Sequence, residues 1–248
     1  MKVATWNVNG IRARQAQFAE WVTAERPDVV CLQEIKAKPD QIPESCGLPD
    51  YACYWHGAGG YSGVGLHIRT AGFSEPAVLS HPPFDLETRI VQADIGELTI
   101  ASIYVPNGGK DYAAKVAFLS ELAAYAAAAH ARGRQLILCG DMNVAITDRD
   151  VHPKERKPVI GQLPEERDLM KQILDTGLVD LGRAMDPDND ELFTWWAPWR
   201  NMKQRNIGWR LDYMLVSETL ACRAISCRVQ REVGTSDHGP VVAEFRSE

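Results

Sequence analysis

The sequence predicts an α/β fold in which two β-sheets pack face to face and helices cover the outer sides. Short runs typical of strands alternate with segments of helical periodicity along all 248 residues. Each half of the chain contains strands, one long helix and then more strands, and no repeat or linker interrupts them. We therefore expect a single domain over residues 1–248, although periodicity leaves the connectivity of the strands open.

Eight strands are predicted from runs that are rich in β-branched residues or that alternate between apolar and polar side chains. In chain order these strands cover residues 2–8, 28–33, 64–69, 89–94, 98–105, 135–139, 211–217 and 240–245. Apolar residues at helical spacing predict helices over residues 15–25, 113–132 and 165–176. Pro27 and Gly177 are typical stops for the first and third of these helices.

Composition limits the class of protein. The chain is 45% hydrophobic and 24% charged, which is ordinary for a globular protein. No apolar run approaches the roughly 18 residues of a membrane span, and the N-terminus lacks the pattern of a signal peptide. The six cysteines form no CxxC pair, which favours reduced thiols. We expect a cytoplasmic protein without a membrane partner, and a monomer because no apolar interface stripe stands out.

The charge distribution is uneven. The formal net charge of −6 argues weakly against a nucleic-acid partner. Binding follows the local field, however, and the segment from Trp199 to Asp212 carries four basic residues against Asp212 alone. Part of the acidic excess elsewhere is explained if carboxylates bind a cation.

Polar side chains gather where the predicted strands end, a position where sites are common in sheet proteins. They are Asn7, Asn9, Glu34, Tyr104, Asn107, Asp141, Asn143, Asp212, Asp237 and His238. Taken alone, most of them are more often a turn residue, a cap or a structural side chain, and only Glu34 is equally explained as a solvated strand end. Carboxylates and amides that converge without cysteine favour a hard cation such as Mg²⁺ or Mn²⁺. The coincidence over six segments predicts a metal-dependent hydrolase.

Seven segments resemble the exonuclease III family of abasic-site DNA endonucleases, within the wider endonuclease/exonuclease/phosphatase fold. They are TWNVNGIR at 5–12, DVVCLQE at 28–34 with Lys36, YVPN at 104–107, GDMNV at 140–144, LPEER at 163–167, WRLDY at 209–213 and SDH at 236–238. The segments keep the family order over nearly the whole chain. LPEER and WRLDY point to the DNA-repair branch.

This resemblance implies a four-layer α/β sandwich of two packed mixed sheets flanked by helices, with the site at one rim. It implies an Mg²⁺-dependent enzyme, with Mn²⁺ as a substitute, that acts on double-stranded DNA with abasic sites or blocked 3′ ends. The implied reactions are hydrolysis of the phosphodiester 5′ to an abasic site, removal of 3′-blocking groups and 3′→5′ exonuclease action.

The resemblance also implies a ligand set for the metal. Glu34 is expected to be the principal ligand, with Asn7 and Asp237 close by. A second position near Asp141, Asn143 and His238 would hold another ion. The residue types leave open whether one or two ions bind.

Catalytic roles follow from the same match. Asp141 is expected to activate or position the water, and Asn143 and Tyr104 to contact the phosphate. His238 is expected to hydrogen-bond the scissile phosphate, with Asp212 holding its ring in one tautomer. In the competing assignment His238 is the base and Asp212 orients it, as in a triad.

The segment over residues 193–212 contains four of the seven tryptophans, with basic residues between them. We expect Trp195, Trp209 and Leu211 to wall a pocket for a flipped-out abasic deoxyribose. The competing interpretation is a set of core aromatics at a sheet edge, which we expect of Trp196. The expected contacts to DNA phosphates are Asn107, Lys110, Arg200, Lys203 and Arg205.

Two other functions fit the same scaffold. Phosphatases of inositol phosphates or sphingomyelin share the fold, but the tryptophan-rich segment argues against them. A DNA-binding protein without nuclease activity would not need the complete set of Asn7, Glu34, Asp141, Asn143, Asp212 and His238. A DNA-repair nuclease is therefore the preferred interpretation.

Overall fold

In a computed structural model that describes residues 1–246, the chain forms two six-stranded mixed sheets flanked by helices. The strands are β1 Lys2–Asn7, β2 Val29–Gln33, β3 Tyr51–His56, β4 Val64–Arg69, β5 Val78–Ser80, β6 Ile90–Ile95, β7 Leu98–Tyr104, β8 Gln135–Asp141, β9 Leu178–Asp180, β10 Asp212–Ser217, β11 Ala224–Val229 and β12 Val241–Phe245. The α-helices are α1 Ile11–Glu25, α2 Tyr112–Ala131, α3 Pro164–Leu174, α4 Leu181–Met185 and α5 Glu218–Ala221.

Each sheet is built around one parallel pair of strands. Sheet 1 has the order β11-β12-β1-β2-β4-β3, and sheet 2 has the order β5-β6-β7-β8-β10-β9. Strand β1 runs parallel to β2, and β7 runs parallel to β8, whereas the other pairs are antiparallel. The carboxyl ends of β1 and β2 therefore lie at one rim of sheet 1, and those of β7 and β8 at one rim of sheet 2.

Strand alternation builds the four layers, because successive side chains point to opposite faces. On β1, Val3 packs in the cluster between the sheets, whereas Ala4 and Trp6 pack with Phe18 of α1. On the far side, α2 and α3 pack against sheet 2 through a second apolar cluster. The predicted four-layer α/β sandwich is confirmed.

The eight predicted strands and three predicted helices are present, with shifts of one or two residues at most ends. Helix α1 is the exception, because it begins at Ile11 rather than at residue 15 and Ile11 is fully buried. The prediction missed the strands β3, β5, β9 and β11 and the helices α4 and α5. All four missed strands lie at sheet edges, where partial exposure of the residues weakens the apolar pattern.

Gly140 shows how closely the strands approach beneath the rim. Its φ is 139°, and a Cβ there would lie 2.0 Å from the carbonyl oxygen of Ile103. Only glycine allows β8 to run beside β7 at this point. The glycine therefore precedes Asp141 for a steric reason.

Two expectations drawn from composition concern the described residues. All six cysteines are free thiols there. None of the helices described over residues 1–246 combines the length and the apolar character needed to cross a bilayer.

Candidate active site

Four predicted site residues meet at the rim where the parallel strand pairs end. Asn7 ends β1, Glu34 follows β2, Tyr104 ends β7 and Asp141 ends β8. The Nδ2 atom of Asn7 lies 3.0 Å from Oε1 of Glu34 and 2.9 Å from Oδ2 of Asp141. One amide thus joins a carboxylate of sheet 1 to a carboxylate of sheet 2.

A buried polar seam beneath this rim fixes the two sheets relative to each other. The Nε2 atom of Gln33 donates to Oγ of Ser102 at 3.0 Å, and Oγ1 of Thr5 donates to Oε1 of Gln33 at 3.1 Å. All three side chains are buried, so each bond is formed away from water. The seam holds the strand ends of both sheets in register below the site.

Several residues around the site have a left-handed backbone. Asn9, Glu34, Lys36 and Asn143 have φ between 45° and 52°. This left-handed conformation is unfavourable for residues other than glycine, and it is often found at functional sites. The turn redirects Glu34 from the end of β2 toward Asp141, and its Oε2 atom also pairs with Nζ of Lys36 at 2.7 Å.

His238 and Asp212 form a buried pair next to Asp141. Nδ1 of His238 lies 2.8 Å from Oδ2 of Asp212, and Nε2 lies 3.9 Å from Oδ2 of Asp141. Burial disfavours the imidazolium, but the Asp212 and Asp141 carboxylates outweigh burial and raise the pKa of His238 to about 10. The geometry therefore favours a protonated ring whose Nε2 faces the centre of the site.

The carboxylates of Asp141 and Glu34 are in different electrostatic environments. Burial, together with the neighbouring Asp212 and Glu34, raises the pKa of Asp141 to about 7. Burial also acts on Glu34, but hydrogen bonds from Asn7 and Lys36 overcome it and lower the pKa of that carboxyl. Asp141 is thus placed to exchange a proton near neutral pH, whereas Glu34 stays ionised.

The side chains at the centre form a donor set for a cation. Ligand atoms of Glu34, Asp141 and His238 lie within 4.8 Å of one another. Carboxylate oxygens beside an amide fit a hard dication. Asp237 lines the same cavity outside this group, and its Oδ1 accepts from Asn9 at 2.8 Å and its Oδ2 accepts from Trp195 at 3.0 Å. Glu34 and Asp141 are therefore the two carboxylates of the group that the geometry offers to a cation.

The Tyr104 ring is buried beneath the guanidinium of Arg89, a residue that the sequence analysis did not identify. The guanidinium of Arg89 lies over its ring at 4.6 Å from the centroid, and Arg89 itself is 1% exposed. Burial and the nearby Glu34 and Asp141 carboxylates raise the pKa of Tyr104 far above its usual range. The hydroxyl therefore remains protonated and can only donate to a phosphate as a neutral group.

A second missed feature is the buried ion pair between Lys115 of α2 and Glu166 of α3, both fully buried. Nζ of Lys115 donates to the carbonyl oxygen of Asn143 at 2.8 Å, and Oε2 of Glu166 accepts from the backbone NH of Gly161 at 2.7 Å. The pair thus supports two loops of the site. It also gives a structural role to Glu166, the second acidic residue of the LPEER segment.

An aromatic wall borders the catalytic centre. Trp195 and Trp209 pack edge to face with ring centroids 5.6 Å apart, and both line a cavity of about 380 Å³ with Leu211. Ile160 and Gly161 line the same cavity, as do Glu34, Asp141 and His238. The expected apolar pocket is therefore contiguous with the expected phosphate site, and Trp196 is 1% exposed, as a core residue should be.

The residues expected to contact DNA phosphates differ in availability. Arg200 and Arg205 are exposed, and Trp199, the residue before Arg200, is 59% exposed. Nζ of Lys203 instead donates to the carbonyl oxygen of Ser236 at 2.9 Å and lies over the Trp196 ring. Lys203 therefore has a structural partner already. The sequence analysis did not predict a DNA contact for Trp199. The only indication of such a contact in the sequence was its position among basic residues.

On the other side of the cavity, Asn107 and Lys110 belong to the loop that joins β7 to α2. Asn107 lines the active-site cavity and also a smaller adjoining hollow that Lys110 and Arg89 share. The Oδ1 atom of Asn107 accepts from the backbone NH of Gly109 at 3.0 Å, which shapes the loop. Lys110 is exposed and lies outside the catalytic group.

Comparisons with known proteins agree with this site. The Endonuclease/Exonuclease/phosphatase family matches residues 4–238. The chain is 32% identical to exodeoxyribonuclease III of Haemophilus influenzae over 274 residues, covering 99% of this chain and 100% of that protein.

Solved structures extend the likeness to the whole fold. The structure of the 3′ phosphatase NExo from Neisseria bound to a product DNA hairpin superposes with a TM-score of 0.91 at 29% identity over 100% of both chains. An AP endonuclease from Archaeoglobus fulgidus gives 0.88 at 29% identity, again over 100% of both chains.

Proposed function

Because the chain belongs to the endonuclease/exonuclease/phosphatase family and is a DNA-repair nuclease of its exodeoxyribonuclease III and AP endonuclease branch, we propose that it hydrolyses the phosphodiester 5′ to abasic sites with Mg²⁺ as its metal. We include removal of 3′-blocking groups and 3′→5′ exonuclease action in the proposal. The observation that carries it is the aromatic cavity that adjoins the Glu34, Asp141 and His238 group.

Glu34 and Asp141, with Asn7 beside them, would hold the metal in this proposal. A bound Mg²⁺ supplies positive charge to the phosphate and to the leaving 3′-oxygen. Mn²⁺ is expected to substitute, because both ions accept the same oxygen donors.

Asp141 acts as the group that takes the proton of the attacking water. Its position in the cavity, with Oδ1 accepting from the backbone NH of Asn143 and Oδ2 accepting from Asn7, supports this role. The water oxygen bonds to phosphorus, the bond from phosphorus to the 3′-oxygen breaks, and that oxygen takes a proton from solvent water to become the 3′-hydroxyl of the product.

His238 acts as a donor rather than as the base. With a pKa of about 10 it carries a proton on Nε2 at neutral pH, and Asp212 holds Nδ1. The imidazolium, the Tyr104 hydroxyl and the Asn143 amide then stabilise the charge that develops on the phosphate. This assignment favours the first of the two alternatives that the sequence left open.

The direct test is incision of a duplex that contains one synthetic abasic site, compared with the same duplex undamaged. We expect cleavage only on the 5′ side of the lesion, with a 3′-hydroxyl on the upstream fragment. A 3′-phosphate or 3′-aldehyde end, or equal cleavage of the undamaged duplex, would contradict the proposal. Hydrolysis of inositol phosphates in place of DNA would support the phosphatase alternative.

Trp209 supplies a prediction about selectivity. An abasic deoxyribose fills the cavity beside Trp195 and Trp209, and a desolvated ring there contributes about 1.5–3 kcal/mol. We expect Trp209→Ala to lower the ratio of abasic incision to 3′-end trimming by about 10–100-fold. The measurement is both rates on matched substrates with the same enzyme preparation.

Trp209→Phe is the matched control, because it keeps an aromatic wall and should retain most of the ratio. Removing a buried tryptophan also costs about 3–5 kcal/mol of folding stability, so both variants must be folded at the assay temperature. A ratio that stays at the wild-type value in Trp209→Ala would assign Trp209 to the scaffold alone.

The salt dependence of DNA binding tests whether Arg200 and Arg205 contact DNA phosphates. Each phosphate contact contributes a slope of about −0.9 to the dependence of log K on log salt concentration. We expect the double change Arg200→Gln with Arg205→Gln to flatten the slope by about one to two, since both side chains are exposed and belong to the basic segment that follows the tryptophans. Lys203→Gln should change it less, because Lys203 already binds backbone carbonyls.

The slope is measured by titration binding to an abasic duplex in chelator, which prevents cleavage. Arg132→Gln with Lys171→Gln is the control, since it removes the same charge at the ends of α2 and α3. Equal slopes for the wild type and the Arg200/Arg205 variant would show that other residues contact the DNA phosphates.

A further inference from the structure

A second group of metal-ligating side chains lies at one edge of the sandwich. His56 ends β3, His81 follows β5, and Asp85 lies in the loop before β6. One ring nitrogen of each histidine and one oxygen of Asp85 lie within 4.8 Å of one another. The two imidazole rings face each other with centroids 3.9 Å apart, and Nε2 of His56 is 2.6 Å from Oδ2 of Asp85.

Surrounding hydrogen bonds hold two of these ligands in place. Oδ1 of Asp85 accepts from the backbone NH groups of Arg89 at 2.8 Å and Ile90 at 3.0 Å, which leaves Oδ2 toward the histidines. Nδ1 of His81 donates to the carbonyl oxygen of Ile90 at 3.2 Å, which puts its lone pair on Nε2. Metal-binding histidines typically have such a bond on the nitrogen that does not bind the metal.

We propose that His56, His81 and Asp85 form a binding site for a transition-metal dication of the Zn²⁺ class. Two imidazoles and one carboxylate suit Zn²⁺, whereas Mg²⁺ prefers an all-oxygen octahedron. Zn–N bonds of about 2.0–2.1 Å place tetrahedral ligand atoms roughly 3.3 Å apart. The observed spacing within 4.8 Å reaches that geometry by small side-chain movements, with a water in the fourth position.

The position of the site gives it a structural role. Strand β3 is an edge strand of sheet 1, and β5 is an edge strand of sheet 2. A dication bound by His56 on one side and by His81 and Asp85 on the other joins the two sheets where no strand pairing does so. Binding exchanges the His56–Asp85 hydrogen bond and the Tyr54 hydroxyl on His81 for metal–ligand bonds, and the proton that His56 donates to Asp85 from Nε2 moves to Nδ1 of His56.

The test is titration of the protein with Zn²⁺ and with Co²⁺ in saturating Mg²⁺, which occupies the oxygen-rich active site. We expect one Zn²⁺ per chain by calorimetry, visible absorption of four-coordinate Co²⁺, and a higher Tm with Zn²⁺. His81→Ala, which changes an exposed ligand, should weaken Zn²⁺ binding by at least about 10–100-fold and abolish the Tm increase.

Asp85→Asn is the second variant, because its Oδ1 can still accept from Arg89 and Ile90 while the charged ligand is lost. His152→Gln removes an imidazole elsewhere and should bind Zn²⁺ as the wild type does. The proposal is overturned if the wild type binds no Zn²⁺ in saturating Mg²⁺, or if His81→Ala and Asp85→Asn both bind it with wild-type affinity. Incision of abasic DNA should be unchanged in His81→Ala, so this result is independent of the proposed function.

Discussion

Replacement of Asp141 by asparagine is expected to lower the single-turnover rate of abasic incision by about 10³-fold or more. The variant keeps the shape of the side chain, and its Oδ1 atom can still accept from the backbone NH of Asn143, a bond of 2.9 Å in the wild type. It loses the oxygen that faces Asn7 and His238 and the capacity to take a proton. The loss should persist at high metal concentration, because added metal does not restore a proton acceptor.

Thermal unfolding separates a catalytic defect from misfolding in this variant. The neutral amide removes a charge that burial penalises, but its NH2 group replaces the oxygen that accepts from Asn7, so a lower Tm is expected. A variant that is folded at the assay temperature and has lost most of its rate would identify a catalytic defect. Asp188→Asn changes an exposed carboxylate and is the control. Its Tm and its rate of abasic incision should equal those of the wild type. Near-normal turnover in Asp141→Asn would remove Asp141 from its proposed role.

Glu34→Gln is expected to have the second large effect. Glu34 presents Oε1 to Asn7 at 3.0 Å and Oε2 to Lys36 at 2.7 Å, and its lowered pKa keeps it ionised. Glutamine preserves the shape but removes the charge that faces the metal. We expect a loss of about 10²–10³-fold at limiting Mg²⁺, with partial recovery as Mg²⁺ is raised.

The informative quantity for this variant is the Mg²⁺ concentration that gives half of its maximal rate. It should rise in Glu34→Gln and stay at the wild-type value in Glu44→Gln, which neutralises an exposed carboxylate. A drop in rate that is the same at every Mg²⁺ concentration would show that Glu34 acts in another way than as a metal ligand.

The sequence predicted those parts of the molecule that local pattern determines. Buried strands such as β2 and β8 are continuous apolar runs, and the polar residues that follow them, Glu34 and Asp141, stand out for that reason. The parallel pairs bring these strand ends to one rim in the structure, whereas periodicity left the strand connectivity open and the resemblance alone implied the rim. The resemblance to known nucleases then assigned roles that the spacing alone could not.

Features that depend on contacts between distant segments were not predictable in this way. Lys115 and Glu166 look like ordinary surface charges on their helices, yet they pair in the core. The stacking of Arg89 on Tyr104 is equally invisible along the chain. The edge strand β3 was missed because its residues are mostly half exposed, and it alternates less clearly than a central strand.

The left-handed turn at Glu34 illustrates the same limit at the level of the backbone. A glutamate at φ 52° is unfavourable locally, so no propensity would place it there. Tertiary contacts to Asn7 and Lys36 stabilise the turn. The backbone of Glu34 therefore adopts a locally unfavourable conformation because the site requires its side chain to point toward Asp141.

In the proposed mechanism, oxygen ligands around Glu34 and Asp141 hold a metal that is required for incision of abasic DNA. The most direct measurement is cleavage and binding of a single-lesion duplex in excess chelator, followed by addition of Mg²⁺ or Mn²⁺. We predict that the chelator abolishes incision while duplex binding persists, and that either ion restores incision with the same 5′ cut. Full incision in excess chelator would contradict the account.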